Sequence, residues 1–139
     1  MITTEKLDRA RGEILHPTKR SGRSRCVLLA EDDAALRRYI EVLLQRAGYE
    51  VVSAADGLEA MKSLLTVTVD VIVTDAVMPN LSGYELCRFV RNSPHLAHLP
   101  IILLSGLDPK NAETDQVNAF LAKPITPENL LACLRQISV

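Results

Sequence analysis

The sequence lacks long hydrophobic runs. No stretch of the 139 residues approaches the roughly 20 consecutive apolar residues that a membrane-spanning helix requires. Residues 1–25 also lack the apolar core of a secretory signal peptide. These absences argue against a membrane protein and a secreted precursor, and we expect a soluble protein of the cytoplasm.

Cysteine and aromatic residues are scarce. The three cysteines, Cys26, Cys87 and Cys133, are far apart and embedded in apolar runs, so they indicate neither a disulfide framework nor a CxxC metal site. We expect them to be small buried hydrophobic residues. Tryptophan is absent, and no aromatic residue interleaves the positive charges near the amino terminus, which disfavours nucleic-acid binding there.

The composition is otherwise that of an ordinary globular domain, with 47% hydrophobic and 24% charged residues. Charge divides the chain in two: residues 1–25 have seven Lys or Arg against three Asp or Glu, and residues 26–139 have nine against fourteen. We expect a flexible basic leader at 1–24, followed by one globular domain at 25–139. Binding of the leader to nucleic acid or acidic lipid is an alternative to a solvated tail.

From residue 25 onward, short apolar runs alternate with amphipathic segments of helix length. This alternation predicts an α/β doubly wound fold, in which crossover helices cover both faces of a parallel sheet. The predicted strands are 25–30, 50–54, 70–75, 100–105 and 119–123. The predicted helices are 34–47, 57–65, 82–91, a short segment with a weak apolar stripe at 107–118, and one that begins after Thr126.

Local residues also predict how some of these helices begin and end. Gly48 is placed to end the first helix in a left-handed conformation. Ser82 and Glu85 have the spacing of a capping box at the start of the third. Thr126 is the expected N-cap of the last helix, with Pro127 at its first position.

Polar residues lie at the carboxyl ends of four of the predicted strands, and the carboxyl ends of parallel strands meet at one edge of the sheet. Carboxylates that converge there repel one another unless a cation neutralises them. Oxygen ligands, with no His or Cys nearby in sequence, suit Mg²⁺, whose open positions could take phosphoryl oxygens. The residues concerned are Glu31, Asp32, Asp33, Asp75, Ser105 and Lys123.

Each of these residues also has a structural explanation. An acidic triplet before a helix is usually a capping arrangement, and a Ser or a Lys-Pro after a strand is usually a turn. Asp75 is harder to explain this way, because a carboxylate at the end of a buried strand is costly. The combination favours a phosphoryl site more than any single residue does.

The motifs resemble the receiver domain of bacterial two-component response regulators over about residues 25–139. The resemblance rests on the segments VLLAEDD, DVIVTDAVMPNLSGYEL, IILLSG and FLAKPIT, in that order. It implies a flavodoxin-like sheet with strand order 2-1-3-4-5.

The resemblance implies roles for individual residues. Asp75 would accept the phosphoryl group, Lys123 would contact it, and Ser105 would hydrogen-bond it after transfer. Phe120 would be the switch aromatic that moves with Ser105. In the family, the peptide bond before the proline at the position of Pro124 is commonly cis.

A Mg²⁺ cofactor is implied in the same way. Asp32 and Asp75 would bind the ion directly, Glu31 would act through a metal-bound water, and the backbone carbonyl of Val77 would complete the protein ligands.

The resemblance also implies partners. A sensor histidine kinase or phosphotransfer protein would donate the phosphoryl group, and small donors such as acetyl phosphate could replace it. The domain would catalyse its own phosphorylation and dephosphorylation without being a conventional enzyme. Its readout would be a changed contact with a downstream protein that the sequence does not identify, and we expect neither a DNA-binding output domain in this chain nor a membrane partner.

One segment departs from the family pattern. The stretch from Ser105 to Lys123 is about one helical turn short, and Gln116-Val117 replaces a usual Gly-Ala pair. The predicted fourth helix is therefore shortened, in a region with which receivers usually signal. This leaves open a second hypothesis, a receiver-like interaction module that works without phosphorylation. A phosphatase of small molecules is a remote third, because the chain offers no obvious room for a substrate cap.

Overall fold

The computed structural model describes residues 24–106 and 116–137. These residues form the five predicted strands and four of the five predicted helices, in the predicted order. The strands are β1 (Cys26–Ala30), β2 (Glu50–Ala54), β3 (Val71–Asp75), β4 (Ile101–Ser105) and β5 (Ala119–Ala122). The helices are α1 (Ala34–Arg46), α2 (Gly57–Thr66), α3 (Gly83–Arg91) and α4 (Pro127–Ile137).

The five strands form one parallel sheet in the order β2-β1-β3-β4-β5, which confirms the predicted fold and strand order. Every residue of β1, β3 and β4 is buried. These strands are covered on both faces, which explains why their sequences are mostly continuous apolar runs and do not alternate. The edge strands β2 and β5 are more exposed.

Helices pack on both faces of the sheet. Successive strand residues point to opposite faces, so β4 contributes Ile101 and Leu103 to one core and Ile102 and Leu104 to the other. Helices α2 and α3 cover the first core, and α1 and α4 cover the second. The three cysteines are buried and form no disulfide bond, as predicted.

The predicted helix ends are confirmed. Gly48 has a φ of 98°, and the N–H groups of Gly48 and Tyr49 close the end of α1 on the carbonyls of Gln45 and Leu44. Ser82 forms the expected capping box with Glu85 at the start of α3. At the start of α4, the Thr126 hydroxyl accepts a hydrogen bond from the Asn129 N–H at 3.2 Å.

Several boundaries differ from the predicted ones by one residue. Strand β3 begins at Val71, because Asp70 before it bonds to the start of β1. The Asp70 carboxylate accepts a hydrogen bond from the Cys26 N–H at 2.7 Å, and the Asp70 N–H donates to the Cys26 carbonyl at 2.8 Å. Strand β4 begins at Ile101 because Pro100 has no N–H to donate. Strand β5 ends one residue before Lys123.

Two predicted segments lie largely outside the described residues. They are the basic leader at 1–24 and the short fourth helix at 107–118, of which only residue 24 and residues 116–118 are described. None of the described helices is long and apolar enough to cross a membrane.

Gly83 sets how closely α3 approaches β3. A Cβ atom at Gly83 would lie 2.0 Å from the carbonyl oxygen of Asp75, whereas a Cβ at Gly106 would meet nothing within 4 Å. We therefore expect Gly83→Ala to lower the free energy of unfolding by about 1–3 kcal/mol, and Gly106→Ala to change it by less than about 0.5 kcal/mol. Urea denaturation of both variants tests this, and equal stabilities would contradict the close packing.

Candidate functional site

Three carboxylates from two strand ends come together at the carboxyl edge of the sheet. Glu31 and Asp32 follow β1, and Asp75 is the last residue of the neighbouring β3. One oxygen from each of the three lies within 4.8 Å of the others. Glu31 is fully buried, Asp75 is 7% exposed and Asp32 faces solvent, so the cluster opens to one side.

Lys123 supplies the opposite charge. Its ammonium Nζ lies 3.1 Å from Asp75 Oδ1 and 3.4 Å from Glu31 Oε1. The Lys123 N–H donates to the Ser105 carbonyl at 2.9 Å, which ties the end of β5 to the end of β4. The peptide bond from Lys123 to Pro124 is cis, as the resemblance implies.

The cluster retains unused acceptor capacity. Glu31 Oε2 accepts a hydrogen bond from the Asp33 N–H at 3.1 Å, but Glu31 Oε1 is buried without a hydrogen-bond partner. The ammonium of Lys123 attracts Oε1 without the geometry of a hydrogen bond. A buried carboxylate oxygen without a hydrogen bond is costly, and a hard divalent cation or its water shell would satisfy it. The donor set therefore fits Mg²⁺.

The surroundings shift three pKa values. Burial raises the pKa of the Asp75 carboxyl, and the Lys123 ammonium offsets only part of that effect. Burial likewise raises the pKa of Glu31, and the nearby charge of Asp75 adds to it. Burial lowers the pKa of Lys123, but its contacts with Asp75 and Glu31 outweigh burial and raise it. The site is thus short of positive charge, which favours cation binding.

Asp33 does not belong to the cluster, which corrects the expectation that the whole acidic triplet converges there. Its carboxylate accepts from the Leu36 N–H at 3.0 Å and caps α1. Capping thus explains the third acid of the triplet, while the first two face the site. Arg37, on the first turn of α1, donates to the Glu31 carbonyl at 2.8 Å and holds the end of β1.

The remaining predicted residues lie around this edge. Ser105 is 2% exposed at the end of β4, paired in register with Ala122. Phe120 lies on β5 and is half-buried against the core under α2 and α3. Val77, whose carbonyl is the expected metal ligand, lies in the loop between β3 and α3 with a 63% exposed side chain.

Two contacts near the site are absent from the sequence-based expectations. The buried Thr74 hydroxyl donates to the Asp75 carbonyl at 3.0 Å. Asn80, in the loop that follows Asp75, donates to Asp56 at the start of α2 at 2.7 Å. The position of Asp56 before a helix signals an N-cap, but nothing local signals its partner 24 residues away.

Asp75→Asn is expected to stabilise the metal-free protein at pH 7. The raised pKa of Asp75 means that folding disfavours the ionised carboxyl. Removing its charge therefore increases the free energy of unfolding at pH values above the pKa of the folded state. The gain disappears as the pH falls below about 4, where the carboxyl is protonated in both states.

Urea midpoints measured in EDTA across this pH range test this prediction. Asp33→Asn removes the same charge while keeping an N-cap, and it serves as the control. A variant that is less stable than the wild type at pH 7 would contradict the prediction.

The fold agrees with comparisons to known proteins. The family model described as response regulator receiver domain matches residues 27–135. The CAI-1 autoinducer sensor kinase/phosphatase CqsS of Vibrio cholerae is 36% identical over 120 residues, which cover 83% of this chain and 18% of that protein. This chain therefore spans less than a fifth of that relative.

Solved structures show the same likeness. The chemotaxis response regulator CheY4 of Vibrio cholerae is 32% identical, with a TM-score of 0.76 over 82% of this chain and 98% of that one. The receiver domain of sensor histidine kinase PA1611 from Pseudomonas aeruginosa PAO1, solved with a magnesium ion coordinated in its active site cleft, is 30% identical. It aligns with a TM-score of 0.71 over 84% of this chain and 99% of that one. This chain belongs to the response regulator receiver domain family of two-component systems.

Proposed function

We propose that Asp75 accepts a phosphoryl group in a Mg²⁺-dependent reaction and that this modification changes the protein contacts of the domain. The observation that carries the proposal is the position of Asp75, beside Glu31, Asp32 and the Lys123 ammonium at the open edge of the sheet. The Mg²⁺-bound receiver domain of PA1611, at 30% identity, supports the choice of ion.

The two oxygens of Asp75 are suited to different tasks. In the described part of the chain, Oδ1 accepts from the Ala76 N–H at 3.0 Å and pairs with Lys123. These contacts orient the carboxylate and leave Oδ2 as the nucleophile. Oδ2 forms the new bond to phosphorus as the bond from phosphorus to the donor breaks, and the leaving group takes that electron pair.

The other residues would balance the negative charge of the carboxylates and of the phosphoryl group. Asp32, Asp75 and the Val77 carbonyl would hold Mg²⁺, with Glu31 acting through a bound water. The ion would neutralise the phosphoryl oxygens and the crowded carboxylates. Lys123 can remain near Asp75 Oδ1 and donate to a phosphoryl oxygen, since an ammonium has three protons to donate.

The donor and the readout follow from the same chemistry. A phosphohistidine of a histidine kinase or of a phosphotransfer protein is the proposed donor, and acetyl phosphate is a small substitute. The aspartyl phosphate would carry a charge of about −1.5 to −2 at pH 7 in place of the −1 of the carboxylate, at the edge of the sheet where the buried Ser105 ends β4. A shift of Ser105 toward this charge would repack Phe120 on the adjacent strand and so alter the surface that a downstream protein contacts.

Intact-mass spectrometry after incubation with acetyl phosphate tests the proposal. We expect a single phosphoryl adduct on the wild-type protein with Mg²⁺ and none with EDTA. Asp75→Asn should take up no phosphoryl group, whereas Asp33→Asn, which keeps the cap of α1, should behave like the wild type. Labelling of Asp75→Asn would contradict the assignment. No adduct from acetyl phosphate or a kinase would favour the phosphorylation-independent module.

Asp32→Ala is expected to weaken Mg²⁺ binding by about tenfold or more, because it removes one of the few direct ligands. Isothermal titration calorimetry of the unphosphorylated protein measures this change. Asp32 is solvent-exposed, so its replacement is expected to leave the unfolding midpoint in EDTA nearly unchanged. An unaltered Mg²⁺ titration would remove Asp32 from the ligand set.

A further inference from the structure

The loop between β3 and α3, residues 76–82, joins the proposed phosphoacceptor to its helix and carries the expected Val77 ligand. It contains an unusual backbone conformation at Asn80, whose φ is 69°. The Leu81 N–H donates to the Pro79 carbonyl at 2.7 Å, which closes a three-residue γ-turn centred on Asn80. Such a turn with positive φ is strained, and it persists only where its surroundings hold it in place.

The surroundings that hold this turn come from the start of α2. Asn80 Nδ2 donates to Asp56 Oδ2 at 2.7 Å, while Asp56 Oδ1 accepts from the Glu59 N–H at 2.8 Å. One carboxylate therefore caps α2 and holds the loop at the same time. The pKa of Asp56 is lowered by these hydrogen bonds, first from the Glu59 N–H and then from Asn80, so the carboxylate stays ionised.

Backbone packing fixes the loop at two further points. A Cβ at Gly57 would lie 2.0 Å from the Leu81 carbonyl oxygen, so the first residue of α2 lies directly against the turn. The Gly83 N–H donates to the Ala76 carbonyl at 2.8 Å, which fixes the far end of the loop beside Asp75. Between these points, the Asn80 side chain links the loop to the cap of α2.

We infer that the hydrogen bond from Asn80 to Asp56 is a positioning contact that holds the 76–82 loop in the conformation that receives Mg²⁺. This inference rests on the proposed function, because the Val77 carbonyl is a ligand only if the site binds the ion. Asn80 and Asp56 lie outside the expected ligand set. They act by keeping the Val77 carbonyl in place, so that ion binding need not first order the loop.

Two variants separate the contact from its side effects. Asn80→Gly removes the amide but tolerates positive φ and leaves the net charge unchanged. The double variant Asp56→Asn with Asn80→Asp exchanges the two groups. Its asparagine at position 56 keeps an N-cap for α2 and now donates to the carboxylate introduced at position 80. The net charge equals that of the wild type, so a recovery of binding reports the restored bond and not a change of net charge.

A third variant controls for stability. Gly48 has a φ of 98° with open space around it, and it lies between the end of α1 and the amino end of β2. Gly48→Ala lowers stability through backbone strain at the opposite edge of the sheet from the site. A purely structural role for Asn80 would make Asn80→Gly behave as Gly48→Ala does.

The experiment is Mg²⁺ titration by calorimetry, since the chain has no tryptophan to report binding. We expect Asn80→Gly to weaken Mg²⁺ binding about tenfold and to speed amide hydrogen exchange in residues 76–82. The exchanged pair should bind close to wild-type affinity, and Gly48→Ala should bind as the wild type does. Wild-type affinity in Asn80→Gly, or an exchanged pair as weak as Asn80→Gly, would overturn the inference. Absence of binding to the wild-type protein would instead contradict the proposed function on which the inference rests.

Discussion

The crowding of negative charge at one edge of the sheet is the constraint on which the site depends. Oxygens of Glu31, Asp32 and Asp75 lie within 4.8 Å of one another, and burial makes the ionised forms of Glu31 and Asp75 unfavourable. Lys123 neutralises one charge of the three. The remaining negative charge favours a divalent cation, and in the proposed function the cation would allow the carboxylate beside it to approach an anionic phosphoryl donor.

The parallel fold is what makes such crowding possible. Glu31 and Asp75 are far apart in sequence, but β1 and β3 are neighbours and end at the same level, with Ala30 paired to Thr74. The three central strands β1, β3 and β4 are fully buried and stabilise the fold. This stability offsets the local cost of the charged edge. Polar contacts next to the cluster keep the strand ends and the adjoining loop in place: Arg37 on the Glu31 carbonyl, Thr74 on the Asp75 carbonyl, and Asn80 on Asp56.

Much of this could be predicted from the sequence because the responsible forces are local. Continuous apolar runs mark strands that are covered on both faces, and Ser82, Thr126 and Gly48 mark helix ends by their own chemistry. The site followed from one topological rule, that the ends of parallel strands converge.

The role of Asp33 could not be predicted in this way, because a carboxylate before a helix can either cap it or turn toward a neighbouring strand. Partners chosen across long sequence distances were also beyond prediction. Arg91 donates to the carbonyls of Ala97, Leu99 and Gln116 and to the Asn118 side chain, and no local pattern identifies these acceptors.

The most direct test of phosphorylation at Asp75 is a crystal structure of the protein with Mg²⁺ and beryllofluoride, a mimic of the phosphoryl group. We expect the mimic on Asp75, the ion in contact with Asp32, Asp75 and the Val77 carbonyl, and the Lys123 ammonium turned to the mimic. An ion held without Asp75 or Asp32, or a mimic bound elsewhere, would contradict it.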